Sequence, residues 1–188
     1  MTKMNKMREK IVATATQLFE TKGINASGVD LIIRESGIAK ATLYKYFPSK
    51  NQLVISYLRD KSDRLYAWLE ENLVDKKKDS LEVLLALCDL FERWITNPQF
   101  HGLPFHIASV EFPDPSHPVN HYSAELSKEL QIYFSKLAKT AGVKDPDTLG
   151  QQLMIIFEGA ALVEGLSPGT GAALRAKKAA VTLVNSST

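Results

Sequence analysis

One cysteine, Cys88, stands alone among 188 residues. It leaves no partner for an internal disulfide and no cysteine-based zinc site, and it suits a reducing cytoplasm. Long apolar runs are missing too. A bilayer-spanning helix needs roughly 18 such residues, and "LMIIF" at 153–157 is far shorter, so no membrane partner is expected. Charged residues follow the basic N-terminus throughout, which reads against a signal peptide. There is no period-two alternation worth a strand and no internal repeat. Charge of one sign is also lacking overall, with 23 basic and 21 acidic side chains and a net charge of +2. What remains, 45% hydrophobic and 23% charged residues, is the ordinary mix of a globular protein with ample core.

The near-zero balance hides a division. Residues 1–50 carry nine Lys/Arg against four acids, and the remaining 138 residues carry a net −3. A basic head on a slightly acidic body suggests a polyanion partner for the head.

Apolar spacing predicts helices almost everywhere, about nine of them in an all-α chain. Met7, Ile11, Ala15, Leu18 and Phe19 mark the first, ended by Gly23 as a left-handed cap. Ser27 with Asp30 three residues on resembles a capping box for a short second helix, which Gly37 ends. A third spans about Lys40 to Phe47, where Pro48 disfavours continuation. Ser49 then caps a long fourth helix through Leu73. "DKKKD" at 75–79 is a polar break before a helix over 80–96. Residues 97–118 hold five prolines and three of the four histidines, with room for a short helix near 104–111. Helix resumes until Gly142. Asp145-Pro146 opens the next, to about Leu166, and Ser167-Pro168 a last one ending near Asn185.

Function concentrates in "GIAKATLYKYFPSK", residues 37–50. On a helical projection Leu43 and Phe47 share one side, with Tyr46 at their border. Ala41 and Lys45 point away, and Thr42 and Tyr44 flank them. The helix buries Leu43 and Phe47 and presents a donor-rich face. Three helices over 6–50, the last two joined by "SGIA", have the pattern of a helix-turn-helix, whose second helix enters the major groove. Lys40, Lys45 and Lys50 supply charge for phosphates, and Thr42 and the Tyr44 hydroxyl can donate to phosphate or base.

The stretch "SGVDLIIRESGIAKATLYKYFPSKNQL", residues 27–53, strongly resembles the helix-turn-helix signature of TetR-type transcriptional regulators. The matching features are Gly37-Ile38, Thr42-Leu43-Tyr44, Tyr46-Phe47, Ser49-Lys50 and Leu53, after a first helix ending "LFETKG". The resemblance implies a DNA-binding domain over 1–50 and a helical effector-binding and dimerisation domain over 51–188. By position it implies Thr42, Tyr44, Tyr46 and Lys50 as DNA contacts. Two positions depart from the pattern. Ala39 stands where Ser or Thr usually caps the recognition helix, and Ile33 replaces a small residue on the second helix.

The body offers weaker signals. His101, His106, His117 and His121 lie near Glu111 and Asp114, and His117 and His121 are four apart. The crowded prolines and the lack of a second ligand pair favour no metal. Phe91, Trp94, Phe105, Tyr122, Phe134, Met154 and Phe157 are candidate walls of a pocket for a hydrophobic or aromatic effector. Glu158 would orient a ligand or pair across a dimer seam. The helix over 146–166 is apolar on nearly every side. With the last helix it would form a seam between two copies, where Gly159, Ala160, Ala161, Ala179 and Ala180 permit close approach.

No nucleophile, base and orienting group recur at a recognisable spacing, so neither enzyme activity nor a cofactor is expected. The expected function is a cytoplasmic, homodimeric regulator of transcription that binds a palindromic operator in double-stranded DNA, a repressor released by a small molecule. The alternative is an activator, or a helical adaptor that binds a protein through the same basic surface.

Overall fold

A computed structural model describes residues 3–73 and 80–187. Among these residues there are nine α-helices and no strand, as the apolar spacing predicts. In order they are α1 (Lys3–Lys22), α2 (Val29–Ser36), α3 (Lys40–Tyr46), α4 (Lys50–Leu73), α5 (Ser80–Ile95), α6 (Pro104–Glu111), α7 (Pro118–Thr140), α8 (Pro146–Leu166) and α9 (Ala172–Ser187). The "DKKKD" break lies outside the described residues. No helix of the described residues is long and apolar enough to cross a membrane.

Two compact units emerge. One gathers the described residues up to Asp63 with Ile107–Ala124, and the other takes Arg64–His106 and the chain from Glu125 onward. The core of the first is built on Ile11, Ala15, Leu18 and Phe19 of α1, Ile24, Ile32, Leu43 and Phe47, and Leu53, Val54, Tyr57 and Leu58 of α4, all buried. Phe19 meets Tyr57 edge-on at 5.3 Å. Burial there, with Glu20 and Glu111 nearby, pushes the Tyr57 phenol well up.

The start of α2 departs from expectation. Ser27 is no N-cap. It is buried, and its hydroxyl donates back to Gly23 O at 2.7 Å and Leu18 O at 3.1 Å. Gly23, at φ 90°, lies past the end of α1, so its carbonyl has no intrahelical donor and the buried hydroxyl supplies one. Gly28 takes the N-cap place with extended backbone and no side-chain bond.

In the second unit α8 packs on α9 and both contact α5. Lys177 of α9 reaches Asp89 at 2.8 Å and Glu92 at 2.6 Å on α5, and these bonds push its ammonium up. Asp145 caps α8 by accepting from Thr148 N at 3.1 Å, and the Thr148 side chain, with that backbone N–H, holds its carboxyl below the usual range. The last helix opens later than Ser167-Pro168 suggests, at Ala172. Gly169 and Gly171 have φ of 79° and 72°, a left-handed region that holds the chain in a loop. The buried Glu164 carboxylate accepts from Gly169 N at 2.6 Å and Ala172 N at 3.1 Å, so an acid of α8 satisfies the first N–H of α9. The small residues divide. Ala160, Ala161 and Ala180 are buried within the chain, whereas Gly159 and Ala179 are exposed.

Candidate nucleic-acid interface

The sequence KATLYKY of α3 makes only two turns, because Phe47 adopts extended backbone (φ −136°, ψ 94°) ahead of Pro48. Gly37 sets its approach, at φ 64° with its N–H on Ile33 O at 3.0 Å and Arg34 O at 3.2 Å. Leu43 and Phe47 are buried as the projection requires. Lys40, Ala41, Lys45 and Tyr44 are exposed, Tyr44 by 41%, and Thr42 and Tyr46 are half-buried at the flanks. Ala39 stands as N-cap without a side-chain bond, so the departure noted in the sequence is real in the fold. Lys40 sits 3.8 Å from Asp30 with both side chains mostly exposed, a pairing that solvent makes weak.

Lys50 behaves differently from its neighbours. It is half-buried at the first turn of α4, and its Nζ donates to Asn25 O at 3.4 Å. Burial lowers its ammonium, while the negative Glu111 works the other way. In this geometry the charge faces the α1–α2 turn.

Sequence reasoning missed two groups. Arg8 on α1 places its guanidinium 5.3 Å from the centre of the Phe47 ring and donates to Ser56 Oγ at 3.0 Å. It thereby braces the residue that ends the recognition helix against α4. Nothing but its positive charge marked it in the sequence. Glu111 was visible only beside the histidines. Its carboxylate instead accepts from Ile24 N at 2.8 Å and Asn25 N at 2.6 Å. Two of the histidines have local partners. His117 stacks on Phe112 at 4.6 Å, lies 3.2 Å from Asn51 Nδ2, and accepts from Val119 N at its Nδ1. His101 Nδ1 is 2.7 Å from Gln99 O. Among the described residues no three His, Cys, Asp or Glu side chains gather as a metal site requires.

Of the candidate effector walls, four meet in the second unit. Phe91 stacks on Phe157 at 4.3 Å and meets Phe134 at 5.3 Å and Trp94 at 5.5 Å edge-on. Met154 and Phe105 are buried in the same unit. Tyr122 does not join them, because the first turns of α7 belong to the other unit. There Arg59 lies over its ring at 5.7 Å and donates to its hydroxyl at 3.1 Å. A ligand entering the ring cluster would have to part rings already in contact. Glu158 accepts from Ser127 Oγ at 3.3 Å. Cys88 is buried and its thiol is pushed up to about 12 by that burial, so it stays unreactive at neutral pH.

Known proteins carry the same pattern. Residues 11–57 match the family described as bacterial regulatory proteins, tetR family. The HTH-type transcriptional regulator LmrA of Bacillus subtilis is 31% identical over 139 residues, covering 71% of this chain and 72% of that protein. The HTH-type transcriptional regulator YxaF of the same organism is 26% identical over 163 residues, 85% of each. Among solved structures, the TetR-family regulator SCO4454 of Streptomyces coelicolor superposes with a TM-score of 0.88 over 97% of this chain and 96% of its own, at 23% identity.

Proposed function

The chain belongs to the TetR family of bacterial transcriptional regulators, and from that premise we propose that it is a homodimeric repressor. It binds a palindromic operator in duplex DNA and is released by a hydrophobic or aromatic small molecule. One observation carries the DNA half of this reading: α3 buries Leu43 and Phe47 and turns Lys40, Tyr44 and Lys45 outward, with Thr42 at the edge. In the proposal Thr42 and Tyr44 read base edges, Tyr46 supports them, and Lys40, Lys45 and Lys50 neutralise phosphates. Residues 1–50 carry the reading helices within the first unit, which also takes in the chain to Asp63 and Ile107–Ala124, and the second unit binds effector and partner copy, in the cytoplasm.

Dimerisation is supported by the surface of α8. Ile155 and Leu166 are 70% and 75% exposed, and Leu162 is 50% exposed between them. With exposed Gly159 they follow a 4-3-4 spacing along one helix face, the pattern of an interhelical seam. The effector acts by binding the DNA-incompetent separation of the two recognition helices more tightly than the competent one, since equal affinity would shift nothing. At the Phe91, Trp94, Phe134 and Phe157 cluster an effector could enter only by parting rings that already pack on one another, so the cluster does not by itself mark its place.

A reporter promoter overlapping the selected operator tests the reading. Expression should fall when the protein is supplied and recover when a permeant aromatic effector is added. A rise in expression on supplying the protein would make it an activator, and absence of duplex binding would make it an adaptor.

A further inference from the structure

Glu111 lies 58 residues beyond Leu53, where the resemblance to the helix-turn-helix signature ends, yet its bonds go to the turn that leads into α2. Two consecutive backbone N–H groups, of Ile24 and Asn25, converge on its carboxylate at 2.8 and 2.6 Å. The side-chain amide of Asn25 donates to Glu111 O at 2.9 Å, so the two residues are tied at both ends. The Asn25 carbonyl in turn accepts from Lys50 Nζ at 3.4 Å. Gly23 suits the turn because its φ of 90° would strain any residue with a side chain, whereas an added Cβ would meet the Glu111 carboxylate only at an ordinary contact distance.

We propose that Glu111 is a positioning residue for DNA binding, which fixes the α1–α2 turn so that the Asn25 carbonyl holds Lys50 at the height where it meets a phosphate. The inference rests on the DNA-binding reading above and assigns to it a residue outside the motif. A charged acceptor bonded to two amides holds a turn more firmly than a neutral one, because charge-assisted bonds are about twice as strong. Glutamine in its place has one acceptor oxygen and brings an NH2 against the second amide donor.

The test measures binding of the full chain to two probes, a duplex selected from a random pool and the unselected pool itself, at several salt concentrations. Glu111→Ala should weaken binding to the selected duplex by about tenfold, the equivalent of one charge-assisted bond at the low end of its range, and Glu111→Gln by less. Asn25→Ala, which removes only the side-chain tie on an exposed residue, should weaken it by a few-fold with no change in thermal midpoint. In a Lys50→Ala background the further loss from Glu111→Ala should shrink to under about twofold, because the two act through one contact. A merely structural role would give the same loss in both backgrounds and overturns the proposal. So does tighter binding by Glu111→Ala and Glu111→Gln alike, which would make Glu111 a repelling charge. If the wild-type chain binds neither probe, the regulatory reading fails instead.

Discussion

At the scale of residues, the proposed division between reading bases and holding phosphates falls within one short stretch. Thr42 and Tyr44 stand at the rim of α3, while Lys50 begins the next helix with its ammonium drawn toward Asn25 O. Phosphate contacts carry little sequence information, so Lys50→Ala should weaken operator and scrambled duplex alike and lower the slope of log K against log salt by about one unit. Thr42→Ala and Tyr44→Phe should leave that slope nearly unchanged and cost operator binding about 1–3 kcal/mol for each lost base contact. Binding isotherms at several salt concentrations check both. A loss confined to operator for Lys50→Ala would reverse the assigned roles. The residues that face outward on α3 were legible in the sequence because helical projection needs only spacing. Arg8 and Glu111 were not, since each bonds to a residue far away in the chain and neither lies on a recurring pattern.

At the scale of elements, helix crossings are set by what small residues allow. Gly150 on α8 leaves no room beside α7, where an added Cβ would lie 2.9 Å from Ser135 N and closer still to its hydroxyl. Backbone cannot give way as a side chain can. Gly150→Ala should therefore destabilise the second unit by about 1–3 kcal/mol, the usual scale of overpacking, and chemical denaturation would measure it. Unchanged stability would mean that α7 and α8 slide apart freely. Most element boundaries were readable, because proline, glycine and capping side chains act locally. Asp145 caps α8 where its sequence says it should, and Gly37 ends α2. The misreadings share one cause. Ser27 bonds back to the end of α1 across the turn and was assigned the neighbouring helix end because local spacing cannot tell a cap forward from a cap backward; the Glu164 cap of α9 likewise acts across a turn and left no local signal for where that helix starts.

At the scale of the whole molecule, the proposed repressor works as two copies acting together. In the proposed dimer the exposed stripe of Ile155, Leu162 and Leu166 would be buried against its own image, removing apolar surface from water at about 25 cal/mol per Å². Leu162→Asp should yield a monomer by sedimentation at micromolar concentration while circular dichroism stays helical. Ala161→Asp is the wrong probe, since Ala161 is buried inside the chain and its replacement would unfold it. The apolar excess of α8 was legible in the sequence, but which of its apolar residues face inward (Leu149, Leu153, Ala160, Ala161) and which outward (Ile155, Leu162, Leu166) needed the fold. The most direct test of the central claim is recovery of bound duplexes from a random pool by the wild-type chain. A dimer with one α3 per copy should enrich an inverted repeat whose half-sites are centred about one helical turn, or a multiple of it, apart, and Thr42→Ala should relax the preference within each half-site. Enrichment of no sequence, or of a single unrepeated site unaffected by Thr42→Ala, would contradict it.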